Sequence, residues 1–179
     1  MLIIMSYYGK YEAVLESTRR EFLDYLGGFT HEHLEARIKR PESVEEKLKR
    51  KSLKPGIDSA MNELTDILGF RLIVRFLSDI DECVAKVRAE QDVVLIKDYV
   101  KDPKPNGYRS VHIIIRKNGV YLELQIRTIA QDCWAALEHE LKYKKHRSSE
   151  ELITRELNRC ADELAAADIT MDTIKNKLI

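Results

Sequence analysis

Residues 110–128 read SVHIIIRKNGVYLELQIRT, and this stretch decides the fold of the chain. Asn118 and Gly119 stand between two apolar runs rich in β-branched residues, and both residue types readily adopt the positive φ of a two-residue hairpin turn. The stretch therefore predicts a β-hairpin whose register follows from its turn. The predicted opposite pairs are Lys117 with Val120, Ile114 with Glu123, His112 with Gln125, and Ser110 with Arg127.

The predicted hairpin has two unlike faces, because side chains alternate along a strand. The apolar face carries Val111, Ile113, Ile115, Leu122, Leu124 and Ile126. The polar face gathers Tyr108, Ser110, His112, Glu123, Gln125 and Arg127. The polar face of such a sheet usually points to water, but this one lacks the Lys and Thr residues typical of a solvated surface. Its mixture of carboxylate, imidazole, amide, guanidinium and phenol predicts a functional site.

The composition favours an ordinary soluble domain. The 179 residues are 44% hydrophobic and 34% charged, and the chain is long enough to bury a core of its own. Lys+Arg and Asp+Glu both number 30, so no net charge steers the protein towards nucleic acid or a membrane. Any phosphate-binding site must therefore come from a local cluster of cations.

The cysteines and the N-terminus indicate a cytoplasmic protein. Cys83, Cys133 and Cys160 are odd in number and widely spaced, which predicts reduced thiols and neither a disulfide framework nor a zinc site. The opening MLIIM is too short for a signal peptide, and no apolar run reaches membrane-spanning length. No GxxxxGK[ST] motif occurs, so a P-loop architecture is excluded.

Apolar periodicity predicts the remaining elements. The predicted helices span residues 6–26, 42–51, 78–89, 128–145, and one or two further helices span 148–179. The other predicted strands span 33–40, 70–76 and 93–100, with loops over 52–62 and 101–107. Gly27 with Gly28 should end the first helix, and Pro41 suits the first turn of the second. Ser78 and Thr128 are the predicted caps of two later helices, with Asp81 in the first turn after Ser78.

Cations cluster where the strand at 33–40 leads into a helix. Arg37 and Lys39 share one strand face directly before a helix N-terminus, which favours anions, and Ser43 lies in the first turn. The following charge run also suits a solvated helix with pairs such as Glu45 and Lys49. The residues alone leave both interpretations open, and they equally allow Asp66 to be a simple turn cap.

Three motifs resemble the synthetase domain of RelA/SpoT-type alarmone synthetases, and most closely its small, single-domain members. They are NGYRSVH over residues 106–112, ELQIRT over 123–128 and WAALEH over 134–139, within a resemblance that covers about residues 30–145. The resemblance implies a GTP/GDP pyrophosphokinase that transfers the pyrophosphate of ATP to the 3′-hydroxyl of GDP or GTP and releases AMP. It also implies an α+β fold with a mixed, mostly antiparallel sheet of about five strands flanked by helices, similar to nucleotidyltransferases.

The same resemblance implies the site residues. Asp66 and Glu123 would be the catalytic residues and the ligands of Mg²⁺, with Glu123 activating the attacking hydroxyl. The implied ATP-binding residues are Arg37, Lys39, Ser43, Lys47 and Arg71, of which Arg71 would stack on adenine. The implied GDP/GTP-binding residues are Lys97, Lys104, Tyr108, Ser110, His112, Gln125, Arg127, Glu138 and Lys142. Tyr108 would stack on guanine. Lys97 and Lys142 stand where small synthetases often carry arginine and some carry asparagine, respectively.

The resemblance further implies one synthetase domain over residues 1–179, with a core at about 30–145 and C-terminal helices at about 148–179. Without a hydrolase domain or regulatory domains, the protein should make alarmone and not degrade it. The C-terminal helices could cover the sheet or pack against another subunit, as they do in the family's homotetramers. Neither a membrane nor nucleic acid is an expected partner.

Two other functions stay open at this stage. A toxin-like relative would pyrophosphorylate tRNA 3′ ends or adenine nucleotides, and residues 142–147 (KYKKHR) are the candidate basic patch for tRNA. A non-catalytic nucleotide- or RNA-binding module is disfavoured, because such a module needs neither Asp66 nor Glu123.

Overall fold

The computed structural model describes residues 7–143 and 150–177 of the chain. After a 3₁₀ turn at Gly9–Tyr11, the helices are α1 Glu12–Gly27, α2 Pro41–Arg50, α3 Ile57–Glu63, α4 Leu77–Glu90, α5 Ile129–Tyr143 and α6 Glu150–Lys177. The strands are β1 His33–Ile38, β2 Leu68–Val74, β3 Val93–Asp98, β4 Val111–Lys117 and β5 Val120–Thr128. Within these ranges no helix is both long enough and apolar enough to cross a lipid bilayer.

The five strands form one mixed sheet in the order β1-β2-β5-β4-β3. Strands β2 and β5 run parallel to each other, and the other three neighbouring pairs are antiparallel. The predicted α+β fold with a mostly antiparallel sheet is therefore confirmed. The parallel pair places the start of β2 beside the hairpin, which brings distant parts of the sequence onto one surface.

The hairpin turn has the predicted geometry. Asn118 and Gly119 have φ values of 52° and 79°, which a two-residue turn between twisted strands requires. The pairs Lys117 with Val120, Ile114 with Glu123 and His112 with Gln125 are all present. The β4–β5 ladder begins with Val111 opposite Ile126, so the predicted pairing of Ser110 with Arg127 lies just outside it.

The core lies on one side of the sheet. The six apolar hairpin residues predicted to share a face are at most 3% exposed. Helices α1 and α4 cover this face, and the Phe22 ring of α1 lies 4.8 Å from the Phe70 ring of β2 between centroids. Burial of this much apolar surface is the main stabilising term of such a domain. It leaves the polar face of the sheet on the other side, available for a site.

One predicted loop contains a helix. The region 52–62 was predicted to be a loop, but α3 spans Ile57–Glu63. It begins after Gly56, whose φ of 114° turns the chain, and it buries Ala60 and Met61 in the core. A helix of two turns is too short to show a helical apolar period in the sequence. Burial against the rest of the fold therefore stabilises a helix that the local sequence does not predict.

The start of α4 also differs from the prediction. Ser78 is not the cap, because the helix begins at Leu77 with Phe76 in the N-cap position. The carboxylate of Asp79 accepts a hydrogen bond from the Phe76 backbone N–H at 3.1 Å, and Asp81 falls beyond the first turn. The acidic residue that stabilises this helix start lies one residue after the predicted serine.

Helices α5 and α6 pack at the end of β5. Thr128 caps α5 as predicted: its Oγ1 accepts the Gln131 N–H at 3.2 Å, and the Gln131 side chain accepts the Thr128 N–H at 3.2 Å. Thr128 Oγ1 in turn donates to the buried carboxylate of Asp168 on α6 at 2.6 Å. The Trp134 indole N–H donates to the Leu157 carbonyl at 2.8 Å, so α6 is bonded both to the N-cap of α5 and to its second turn.

Candidate active site

The polar face of the sheet carries one continuous row of functional side chains. Residues that pair across neighbouring strands point to the same side of a sheet. The register therefore aligns Glu35, Arg71, Gln125, His112 and Lys97 across the five strands. The next row aligns Arg37, Gly69 and Glu123 across β1, β2 and β5. The parallel β2–β5 pairing thus brings the predicted ATP residues beside the predicted acceptor residues.

Gly69 is the middle residue of the second row. The Arg37 side chain lies across it, with Cγ and Nε each 3.6 Å from the position a Cβ would take. The cleft on this face is lined by Glu35, Arg37, Asp66, Gly69, Phe70, Arg71, Glu123 and Gln125. It contains both predicted carboxylates and both predicted ATP-binding arginines.

Asp66 sits at the foot of the cleft, in the loop before β2. Its Oδ2 accepts hydrogen bonds from Lys39 Nζ at 2.8 Å and Lys47 Nζ at 2.6 Å. Burial alone would raise the pKa of Asp66, but the two ammonium groups outweigh burial and hold this pKa below its ordinary value. The other oxygen, Oδ1, is buried and has no hydrogen-bond partner among the described residues. Asp66 is therefore an ionised carboxylate with one oxygen in need of a ligand.

Glu123 is the second carboxylate of the cleft, on β5. His112 Nδ1 lies 3.2 Å from its Oε1, and Gln125 Nε2 donates to its Oε2 at 2.8 Å. Burial would raise the pKa of Glu123, but the hydrogen bonds from His112 and Gln125 outweigh it, and the pKa lies below its ordinary value. The cleft therefore holds a second carboxylate in its ionised form beside Asp66, and a divalent cation could bind to both.

A hydrogen-bond chain leads from Arg127 to Glu123. The Tyr108 hydroxyl accepts from Arg127 Nη2 at 2.6 Å and lies 2.8 Å from His112 Nε2. A guanidinium can only donate, so with a neutral imidazole the hydroxyl proton points at Nε2. His112 Nδ1 then carries its proton and donates to Glu123. This series of hydrogen bonds fixes the orientation of the Glu123 carboxylate and links it to Arg127, four residues further along β5.

Cations cover the Tyr108 ring. Lys104 Nζ lies 4.7 Å from its centroid and 4.5 Å from the centroid of Tyr99, and the Arg127 guanidinium carbon lies 5.0 Å from the Tyr108 centroid. Burial, with the nearby positive charges of Lys97 and Arg127, lowers the pKa of Lys104. A guanine base stacking on Tyr108 would exchange with one of these cation–ring contacts.

The remaining predicted residues differ in their distance from the cleft. Ser110 is fully buried, and its hydroxyl donates to the Ile126 carbonyl at 3.2 Å, so its side chain does not face the cleft. Ser43 is exposed on the first turn of α2, one turn before Lys47. Glu138 accepts a hydrogen bond from Asn106 Nδ2 at 3.0 Å, which ties α5 to the loop before β4. The side chain of Lys142, like residues 144–147 of the basic patch, lies outside the described part of the chain.

Three residues near the site were not predicted from the sequence. Tyr99 packs its ring against His112 at 5.2 Å between centroids. Arg109 binds α6 through the Asp162 carboxylate at 3.0 Å and the Ala161 carbonyl at 3.2 Å, which holds the loop beside Tyr108. Asp132 contacts two site arginines. Arg109 belongs to the NGYRSVH motif and could have been selected on that basis, whereas Tyr99 and Asp132 follow unremarkable local patterns.

Comparison with known proteins identifies a family. The sequence model described as "Region found in RelA / SpoT proteins" matches residues 36–148. GTP pyrophosphokinase YwaC of Bacillus subtilis (strain 168) is 39% identical over 157 residues, which are 82% of this chain and 75% of that protein. GTP pyrophosphokinase YjbM of the same organism is 29% identical over the same length, 82% of this chain and 73% of the relative.

Solved structures are similar over nearly the whole chain. The crystal structure of small alarmone synthetase 1 from Bacillus subtilis bound to its product pppGpp has a TM-score of 0.79 and 28% identity, covering 91% of this chain and 93% of that one. Small alarmone synthetase 2 from Bacillus subtilis has a TM-score of 0.73 and 35% identity, covering 95% of each chain. Sequence motifs, fold and overall similarity agree, and this chain belongs to the RelA/SpoT family.

Proposed function

We propose that this chain is a GTP/GDP pyrophosphokinase that makes ppGpp and pppGpp from ATP and GDP or GTP. A relative that this chain matches over three quarters of its length is named GTP pyrophosphokinase. The observation that carries the proposal is the cleft itself. It places the carboxylates of Asp66 and Glu123 between lysines suited to a triphosphate and an aromatic platform suited to a nucleoside.

The cleft fits Mg²⁺. The oxygen Asp66 Oδ1 is buried without a hydrogen-bond partner in the described part of the chain, and Glu123 is ionised in the same cleft, so these two residues would hold the ion. Mg²⁺ sites commonly use one or two protein carboxylates and complete their ligands with phosphates and water. In keeping with this, the described residues contain no cluster of three or more potential metal-ligating side chains. When bound, the ion would neutralise negative charge on the transferred phosphates.

The lysines on the ATP side would bind the triphosphate. Lys39 and Lys47 already bind a carboxylate oxygen, which shows that their ammonium groups converge on one anionic position. Arg37 borders the same cleft, and Arg71 presents a planar guanidinium suited to stacking on adenine. Pyrophosphoryl transfer depends mainly on such positioning and on neutralisation of charge.

The acceptor side would orient the 3′-hydroxyl. Tyr108 would stack on guanine, Lys104 and His112 would contact the ribose or phosphates, and Glu123 would accept the hydroxyl proton. The 3′-oxygen forms its new bond to the β-phosphorus of ATP. The bond between that phosphorus and the oxygen bridging to the α-phosphate breaks, and AMP leaves with this oxygen.

We further propose a single synthetase domain that acts in the cytoplasm, where its nucleotide substrates are present, as a homo-oligomer. Its three cysteines are unpaired. The family resemblance suggests a tetramer, and α6 offers an apolar surface for it. Its side chains Leu152, Ile169, Met171 and Ile174 are 47% to 59% exposed.

The decisive experiment follows the label of [γ-³²P]ATP in the presence of Mg²⁺ and one of GMP, GDP, GTP or tRNA. Transfer to GDP or GTP, with AMP released in equal amount, is expected. Label on tRNA alone would contradict the proposal and favour the toxin-like alternative. No transfer to any acceptor, by protein that binds nucleotides, would favour a binding module.

A further inference from the structure

Asp132 lies between the two halves of the cleft. It is in the first turn of α5, and its Oδ1 is 3.1 Å from Arg127 Nη1 and 3.7 Å from Arg71 Nη1. Its side chain is 29% exposed, whereas that of Arg127 is 6% exposed and that of Arg71 is 33% exposed. One carboxylate oxygen therefore contacts two guanidinium groups at a partly buried position.

The two arginines belong to different subsites of the proposed enzyme. Arg71, on β2, also contacts Glu35 of β1 at 3.3 Å and borders the ATP side of the cleft. Arg127, on β5, donates to the Tyr108 hydroxyl at 2.6 Å and to Gln125 Oε1 at 2.8 Å on the acceptor side. A movement of one guanidinium therefore alters the contact that Asp132 makes with the other.

The backbone fixes Asp132 before any ligand binds. The reciprocal hydrogen bonds of Thr128 and Gln131 set the first turn of α5, and Asp132 is the next residue. The carboxylate is thus presented by a rigid helix start, not by a loop. Carboxylates in the first turn of a helix are also favoured by the helix dipole.

The arginines need this anion. The Nε atoms of Arg71 and Arg127 are both buried without a hydrogen-bond partner in the described ranges, so the terminal nitrogens make the polar contacts of these two groups, and Asp132 is the partner that they share. Two guanidinium groups that converge on one oxygen repel each other when that oxygen loses its charge. Asp132 both screens this repulsion and orients the two planar forks.

We propose that Asp132 is a positioning residue that couples the ATP subsite to the acceptor subsite through Arg71 and Arg127. The proposal rests on the function proposed above for these two arginines. Binding of a nucleotide on one side holds its arginine, and through Asp132 it holds the arginine on the other side. Each substrate should then bind more tightly when the other is present.

The test measures nucleotide affinity and not turnover. The affinity for GDP is determined by titration calorimetry with Mg²⁺, with and without saturating α,β-methylene-ATP, whose carbon bridge blocks the transfer. We expect the analogue to tighten GDP binding at least about fivefold in the unaltered protein. Asp132→Asn, which keeps the size and removes the charge, should reduce this ratio to nearly one and weaken both nucleotides about three- to tenfold.

Two further variants keep the test sharp. Asp132→Glu retains the charge but moves it by one methylene. Its ratio of GDP affinities with and without the analogue should therefore fall between that of the unaltered protein and that of Asp132→Asn. It serves as the test if Asp132→Asn does not fold. Glu16→Gln is the matched control, because Glu16 binds Arg19 at 2.9 Å with 27% exposure on α1, across the sheet from the cleft. It should behave like the unaltered protein.

Equal GDP affinity with and without the analogue in the unaltered protein would overturn the inference. So would an undiminished ratio in folded Asp132→Asn. Neither result would bear on the transfer of label from ATP to GDP, which tests the proposed function separately.

Discussion

The ATP side and the acceptor side of the cleft are held by different kinds of interaction. On the ATP side, Lys39 and Lys47 bind Asp66 through two charged contacts of 2.8 Å and 2.6 Å. On the acceptor side, Tyr108, His112 and Glu123 are joined by hydrogen bonds of polar side chains, and Lys104 lies against aromatic rings. The same sheet face therefore uses charge pairing at one end and aromatic and hydrogen-bond geometry at the other.

The difference matches the proposed substrates. A triphosphate presents mainly charge, and its oxygens can replace Asp66 as partners of Lys39 and Lys47. A nucleoside acceptor presents a flat base and a hydroxyl, which need a ring and a directed hydrogen bond. The ATP side should thus bind its substrate mainly through charge, whereas the acceptor side should also orient the attacking hydroxyl.

The largest effect should come from removing the carboxylate that binds both lysines on the ATP side. We expect Asp66→Asn to lower kcat about 10³-fold or more, because it removes both the ionised oxygen and the partner of two lysines. Steady-state transfer assays with circular dichroism as a folding check measure this. The matched control is Asp58→Asn, an exposed carboxylate that also binds a lysine and a tyrosine. Activity of Asp66→Asn within tenfold of the control would contradict the assignment.

Replacing one lysine on each side of the cleft should affect the KM values of different substrates. Lys47→Met should raise the KM for ATP about tenfold, and Lys104→Met should raise the KM for GDP by a similar factor. Each substitution would remove a lysine that we propose to contact phosphate. Each variant serves as the control of the other. If both raised the KM for ATP alike, the division of the cleft into two sides would be wrong.

Breaking the hydrogen-bond chain from Arg127 to Glu123 should lower kcat more than it changes the KM for GDP. Tyr108→Phe keeps the ring for stacking but removes the hydroxyl between Arg127 and His112. We expect kcat to fall about five- to tenfold, while the KM for GDP changes less than about twofold. Tyr25→Phe, which removes a hydroxyl bound to Glu90 at 2.9 Å on the other side of the sheet, is the control. A change in KM alone would assign the hydroxyl to binding and not to the chain.

The smallest effect concerns stability in acid. The folded-state pKa of Asp66 is lowered, so its contribution is present at neutral pH and is lost as the pH falls through that lowered pKa. Denaturant unfolding at a series of pH values should show Asp66→Asn less stable than the unaltered protein at pH 7 by on the order of 1 kcal/mol. The difference should shrink towards pH 3. A constant difference at all pH values would assign the effect to packing.

The hairpin and its faces could be predicted because they depend on local residues. Asn118 and Gly119 set the turn, and the alternation of side chains then assigned each residue to a face. The cap at Thr128 was likewise local. The parallel pairing of β2 with β5, which aligns Arg71 with Gln125, joins segments more than 50 residues apart and leaves no trace in either segment alone.

The misplaced residues show the limits of reading by pattern. Ser110 has the parity of the polar face, but it precedes the ladder, and its hydroxyl binds a backbone carbonyl of the sheet. Asp132 occupies a position where an acidic residue is ordinary, since the first turn of any helix favours one. Its two arginine contacts depend on how α5 docks against β2 and β5, which only the assembled fold determines.

In the proposed mechanism, Glu123 activates an acceptor hydroxyl in a cleft that also holds ATP. The most direct test is single-turnover transfer from [γ-³²P]ATP to GDP by Glu123→Gln, with the affinities for GDP and α,β-methylene-ATP measured on the same sample. We expect affinities within a few fold of the unaltered protein and a transfer rate lower by about 10³-fold or more. Transfer within tenfold of the unaltered rate would contradict this mechanism.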